Sequence, residues 1–157
     1  MQHSGFKKKS SEGLIAEIGV NMNQFASHAH LSSWAGISPG NNESAGKRYS
    51  GRITPGNKWL KAYLAEVAWA ASKTKGTYLK ARYHRIASRR GKKRAIVALS
   101  HTILIMAYHI IKEQIPYKEL GADYFDRLNE QAVIKRLTAR FETLGYQVEL
   151  TKQAAVA

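Results

Sequence analysis

Cysteine is absent from all 157 residues, which excludes disulfides and thiolate metal sites and leaves the redox compartment open. Proline is almost absent: of three in the chain, two (Pro39 and Pro55) fall in one glycine-rich stretch and the third is Pro116. Long helices elsewhere therefore meet no obligatory break. Acids are scarce where bases are dense. Residues 47–94 hold 15 Lys/Arg against one acid, Glu66, while the rest of the chain carries 10 bases and 10 acids. The formal net charge of +14 thus belongs to about a third of the sequence. So local an excess implies a polyanion-binding surface rather than general solubilisation. Nucleic acid is the first candidate partner, and an anionic membrane the second.

Long hydrophobic runs are also few. The longest, "AIVALSHTILIMAYHII" at 95–111, would reach about 25 Å as a helix, and a membrane span needs about 20 apolar residues. Ser100, His101, Thr102 and His109 interrupt it, so a buried central helix is expected and no membrane association. The N-terminus has cations but no sufficient apolar core, since Glu12 and Glu17 bracket its short apolar piece. It is not a signal peptide, and the expected location is the cytoplasm. There is no Walker loop, no Ser/His/Asp triad signature and no set of acids suited to magnesium.

What is present reads as mainly α, a compact helical bundle of ordinary globular composition, with 44% hydrophobic residues. A short helix is expected over 12–18, stopped by Gly19, and a second over 27–35, ending at Gly36. Residues 36–57, with five glycines, two prolines and the Asn41-Asn42 pair, read as loop. From Lys58 the period becomes helical, with Leu60, Tyr63, Leu64, Val67, Ala68 and Ala71 on one face. Gly76 separates this from a basic helix over 77–90 whose apolar side is Leu79, Tyr83 and Ile86. Gly91 breaks it, and the long apolar helix follows to about Gln114. The tail predicts an amphipathic helix with Ile134, Leu137, Phe141 and Leu144 on one stripe, then a short strand at "YQVEL". The expected organisation is an extension over 1–11, a main domain over 12–115 and a small helix-strand appendage over 116–157.

The strongest chemical signal is the basic stretch. Lys80, Arg82, Arg85, Arg89, Arg90, Lys92, Lys93 and Arg94 crowd two helices and the Gly91 turn, with Tyr49, Trp59, Tyr78 and Tyr83 interleaved. Cations track phosphates, and aromatic faces can stack on unpaired bases. Leu79, Tyr83 and Ile86 fit a core better than a stacking platform. The segment "GNNESAGKRYSGRITPGNKWLK" at 40–61 adds a hydroxyl, Ser44, just ahead of Lys47, Arg48, Arg52 and Lys58. Cations could stabilise a serine alkoxide and a phosphorane, and small Ala45 and Gly46 would let a phosphodiester approach. Composition alone nevertheless leaves Ser44 a turn residue, because Asn-Asn-Glu-Ser-Ala-Gly is ordinary turn chemistry. Asp123, Asp126 and Glu130, at i, i+3 and i+7 on one helical face, could suggest a metal, but acids at a helix N-terminus explain them better. His28 and His30 lack partners for a metal site, and His101 and His109 read as core histidines.

The run from "LIAEIGVNMNQFASHAHLSSWAGISPGNNESAGKRYSGRITPGNKWLK" through "ARYHRIASRRGKKRAIVALSHTILIMAYHII" to "YKELGADYFDRL" and "LGYQVEL" resembles the C-terminal transposase domain of the insertion-sequence one-ten type family. These are RNA-bridged serine recombinases, and the resemblance extends over most of the chain. It implies a serine in a Ser-Gly-Gly-Lys type motif that attacks DNA and forms a phosphoserine intermediate. On this sequence the motif serine falls on Ser44, its lysine on Lys47 and its second glycine on Gly46. Ala45 departs from the spelling, which matters only if the backbone there needs φ > 0.

The resemblance also implies a ribonuclease-H-like domain whose four acids bind magnesium, so Mg2+ is expected through a separate DEDD-domain polypeptide or a full-length transposase, not through this chain. DNA, a structured bridge RNA and further copies of the chain are the remaining implied partners. On this reading the chain is a C-terminal fragment that supplies a serine nucleophile and cannot complete the reaction alone. The alternative is a non-catalytic remnant that still binds nucleic acid.

Overall fold

The computed structural model describes residues 8–38, 42–50 and 53–151. It divides into two units, Met1–Ala122 and Asp123–Ala157. In the first unit the order is α1 (Lys8–Ile18), a 3-10 turn (Met22–Gln24), α2 (His28–Trp34), β1 (Asn42–Ser44), β2 (Lys47–Ser50), α3 (Lys58–Lys73), α4 (Tyr78–Arg90) and α5 (Lys92–Glu113). The second holds α6 (Tyr124–Leu128) and α7 (Glu130–Thr143). The molecule is mainly α, as its periodicity predicts.

The starts of α2, α3 and α4 each have a local cause. Ser27 accepts a hydrogen bond from the His30 amide at 3.4 Å, Asn57 accepts from the Trp59 and Leu60 amides at 2.9 and 3.1 Å, and Thr77 accepts from Lys80 at 3.3 Å. These side chains satisfy amides that the first helical turn leaves open. Gly91, at φ +84°, ends α4 and begins α5.

α5 is the hub, packed against α2, α3 and α4. Leu31, Leu60, Leu64, Leu99, Ile103 and Leu104 are fully buried, each contributing about 1.5–3 kcal/mol of transfer free energy. α5 is long and apolar enough to cross a membrane by length and composition. Its inward face (Ala95, Leu99, Ser100, Ile103, Leu104, Tyr108) is buried within the first unit.

A carboxylate ties the segment after α5 back to α4. Glu119 accepts from the Tyr78 amide at 2.8 Å, from the Gly121 amide at 3.1 Å and from the Tyr117 hydroxyl at 2.9 Å. Burial, then the bond and charge of Glu119, push the Tyr117 phenol well above its usual range. A negative charge at the α4 N-terminus also suits the helix dipole.

Four expectations need correction. The first helix begins at Lys8, earlier than 12. The 36–57 stretch contains an antiparallel hairpin, because its central residues reverse the chain in two residues (below). "YQVEL" forms no strand; its alternation finds no ladder to join among the described residues, and a strand needs one. Asp123, Asp126 and Glu130 do not share one helix: Asp123 caps α6, Asn129 breaks the path, and Glu130 opens α7. Asp123 pairs with Arg127 at 2.9 Å. The α7 stripe of Ile134, Leu137, Phe141 and Leu144 exists but stays exposed within its own unit.

Candidate nucleic-acid interface and reactive loop

The loop between α2 and α3 is closed at its base by two glycines. A Cβ on Gly56 would lie 2.4 Å from the Gly36 nitrogen and 2.6 Å from the Ala35 carbonyl carbon. A Cβ on Gly36 would meet Gly56 and the Thr54 carbonyl at 2.8 Å, and Gly36 also has φ +70°. Only hydrogen fits at either place, so the loop ends can touch. The exit strand is anchored further. Asn57 donates to Glu17 of α1 at 3.1 Å while capping α3, and Lys61 of α3 donates to the Thr54 carbonyl at 3.4 Å.

From this base rises the hairpin, with Ser44 paired to Lys47, Glu43 to Arg48 and Asn42 to Ser50. The register shift between Asn42 and Glu43 leaves Tyr49 as an extra residue on β2. The connecting residues, Ala45 and Gly46, have φ +50° and +74°. Two positive φ values are what a two-residue type I′ turn requires. Ala45 therefore occupies a conformation that favours glycine, at a cost of roughly 1–2 kcal/mol. A Cβ on Gly46 would meet nothing within 4 Å, so the backbone, not internal crowding, asks for glycine there.

Ser44, Ala45, Gly46 and Lys47 are all exposed. Directly opposed residues of an antiparallel pair share a face, with Cβ atoms about 5 Å apart, so the Ser44 hydroxyl and the Lys47 ammonium emerge side by side. Arg48 lies next on β2, and Arg52 falls outside the described residues.

The other cations sit on helices. Lys58 opens α3, its ammonium 5.1 Å from the Trp59 ring centre. On α4, Lys80 is half-buried and Arg85 exposed. Arg82 is half-buried: it donates to the Tyr78 hydroxyl at 3.0 Å, and its Nε is buried without a hydrogen-bond partner among the described residues. Arg89, Arg90, Lys92, Lys93 and Arg94 are all exposed around Gly91. Arg89 donates to the Arg85 carbonyl at 3.3 Å. Arg89 and Arg90 suit the negative end of α4, but Lys92, Lys93 and Arg94 crowd the positive end of α5, where no acid stands in the first turn. Fold stability does not explain three cations there; an anion bound at the turn would.

The aromatic residues divide. Tyr78 and Tyr83 are buried in α4, so they serve the core. Trp59 and Trp69 are exposed. His109 is not a core histidine: it is partly exposed and 2.5 Å from Glu113. His101 is held below its ordinary value by burial and then by the charges of His28 and Arg82. Among the described residues, no group of three or more His, Asp or Glu side chains converges. The described residues therefore offer no cluster of carboxylates of the kind magnesium takes.

Sequence reasoning did not find the Gly36–Gly56 contact, the Asn57–Glu17 bond or Trp69. A glycine at each end of one long loop was the available signal for the first. The sequence model of the Transposase IS116/IS110/IS902 family matches residues 1–84. That span begins at residue 1 and takes in the Ser44 loop and α3, while the five cations around Gly91 lie beyond it. No curated protein and no solved structure matches the chain. With more than half of its length matched, the chain belongs to the IS116/IS110/IS902 transposase family, proteins of DNA transposition whose substrate is DNA.

Proposed function

We propose that the chain supplies the serine nucleophile of a DNA transposition reaction. The observation that carries this reading is an exposed Ser44 paired across a type I′ hairpin with Lys47, on a loop whose base is fixed by touching glycines. Ser44 Oγ attacks the phosphorus of a DNA phosphodiester. The new Oγ–P bond forms as the bond from phosphorus to the leaving deoxyribose oxygen breaks. In net terms the serine proton ends on that leaving hydroxyl, and DNA remains joined to the protein as a phosphoserine.

Lys47, Arg48 and Arg52 offset the charge that grows on the equatorial oxygens. Lys58, Lys80, Arg82, Arg85, Arg89, Arg90, Lys92, Lys93 and Arg94 hold the flanking nucleic acid. Magnesium, in this reading, comes with the carboxylates of a DEDD-type domain on another polypeptide or in a full-length transposase, and a structured bridge RNA joins the assembly.

The test mixes the chain with such a partner, magnesium, RNA and nicked DNA and looks for a covalent adduct on denaturing gels. The expected result is an adduct that Ser44→Ala abolishes, with strand transfer down by at least about 10³-fold, as when a nucleophile is removed from other enzymes. A second reading, a binding module without chemistry, is favoured by the lack of converging acids or histidines among the described residues. It gains if no adduct forms where an intact relative makes one.

A further inference from the structure

We propose that the outward face of α3 is a stacking track for single-stranded nucleic acid, with one end at the foot of the Ser44 loop. α3 buries Leu60, Leu64, Val67, Ala68 and Ala71 and turns Trp59, Ala62, Glu66, Trp69, Ala70 and Lys73 to solvent. On a helical wheel these six fall within about 100°, making one stripe. Trp59 is 68% exposed and Trp69 47%. Tryptophan is highly buried on average, and two on one solvent face are not needed by this core. Exposed Ala62 between them and Ala70 just past Trp69 keep the path low.

The charge on the stripe selects the occupant. The Lys58 ammonium lies 5.1 Å from the Trp59 ring centre, and that of Lys73 lies 4.7 Å from Trp69. Each ring thus carries a cation over one of its faces, and aromatic and cation stand together as single-strand binders combine them for base and phosphate. Ten residues of helix separate the rings by about 15 Å, the rise of roughly four stacked nucleotides at 3.4 Å each. Glu66, the one acid of the basic third, lies between the rings, where it repels phosphate and can accept from a base amino group. The strand would then run with bases on the stripe and phosphates at its lysine ends. Trp59 follows the loop base at Gly56 by three residues, so a strand on this track leads toward the Ser44 hairpin.

This inference rests on the reading of the chain as a nucleic-acid-handling domain but not on the chemistry of Ser44. The test titrates a fluorescein-labelled 12-nucleotide oligo(dT), and a labelled duplex of equal length, with the full chain and its variants, reading affinity from the anisotropy of the label. A Trp34→Phe chain that keeps Trp59 and Trp69 is followed in parallel by tryptophan fluorescence. Single strands should quench the signal. Trp59→Ala with Trp69→Ala should weaken single-strand binding by about 10-fold or more. Duplex affinity should stay within about twofold, and the salt slope should hold, because no phosphate contact is removed. Trp59→Phe with Trp69→Phe should restore most of the loss, and the thermal midpoint should not move in any variant. Unchanged single-strand affinity in the double alanine variant overturns the track. So does finding, by sedimentation, that the tryptophans sustain self-association instead. If quenching survives while no Ser44 adduct forms, the proposed chemistry fails and the track stands.

Discussion

Two chain reversals in the first unit carry cations, and they are built differently. The turn at Gly91 joins two helices that bury Tyr83, Leu99 and Ile103, and a core behind it fixes where Arg89, Arg90, Lys92, Lys93 and Arg94 stand. The reversal at Ala45-Gly46 has no buried residue at its tip. It is held by backbone means, namely two positive φ values, a short ladder and a glycine contact at the loop base. The difference separates grip from placement. A binding surface tolerates side chains that wander, since long cations reach phosphates from many geometries. The proposed nucleophile would have to arrive within a fraction of an ångström, and a short glycine-closed hairpin offers a way to hold it without a core.

Reversing the charges around Gly91 should have the largest effect. If about six phosphates are neutralised, log K should fall with log[salt] at a slope near −5. Arg89, Arg90, Lys92 and Lys93 changed together to Glu should lower DNA affinity by more than about 100-fold and flatten that slope to about −1. Lys135 and Arg136 changed to Glu should leave both nearly as they were. Filter binding across a salt series reads the difference, and equal losses from the two sets would erase the contrast between regions.

Next in size is the loop base. Gly56→Ala forces a Cβ into the Gly36 backbone, at 2.4 Å, and something must shift. A cost of about 1–3 kcal/mol in thermal stability is expected, with strand transfer lost while DNA affinity is kept. Loss of both together would mean that grip and placement are not separate.

Ala45→Gly should act in the opposite direction, relieving up to about 1–2 kcal/mol of left-handed strain at the tip. Slower amide exchange in the hairpin would register it, with adduct formation unchanged or faster.

The smallest effect concerns pH. Burial, then His28 and Arg82, hold the His101 imidazole below its ordinary 6.5, so the unfolded chain takes up the proton more readily than the folded one. Stability from this group is complete above pH 6.5 and declines as pH falls below it toward the lowered folded value. His101→Gln should flatten that part of a urea-midpoint profile against pH.

The helical core was legible because its signal is periodic: Leu60, Leu64, Val67, Ala68 and Ala71 recur at helical spacing and are buried. The sharp stop at Gly91 was equally local, while the caps at Ser27 and Thr77 emerged with the structure. The candidate site was legible only by resemblance. Nothing in "NNESAGK" distinguishes a turn that shows a hydroxyl from one that does not, since that depends on φ at Ala45 and Gly46. The "YQVEL" alternation misled for a related reason, because a strand is a property of two segments.

The sequence by itself determined the helices, their apolar faces and the confinement of the positive charge to 47–94, since each depends on neighbours a few residues apart. Only the tertiary structure decided that Gly36 touches Gly56, that Asn57 reaches Glu17 across 40 residues, and that Tyr78 turns inward while Trp59 and Trp69 face out. Those outcomes depend on which distant segments exclude one another from the same space, and steric exclusion between remote backbones leaves no period to read.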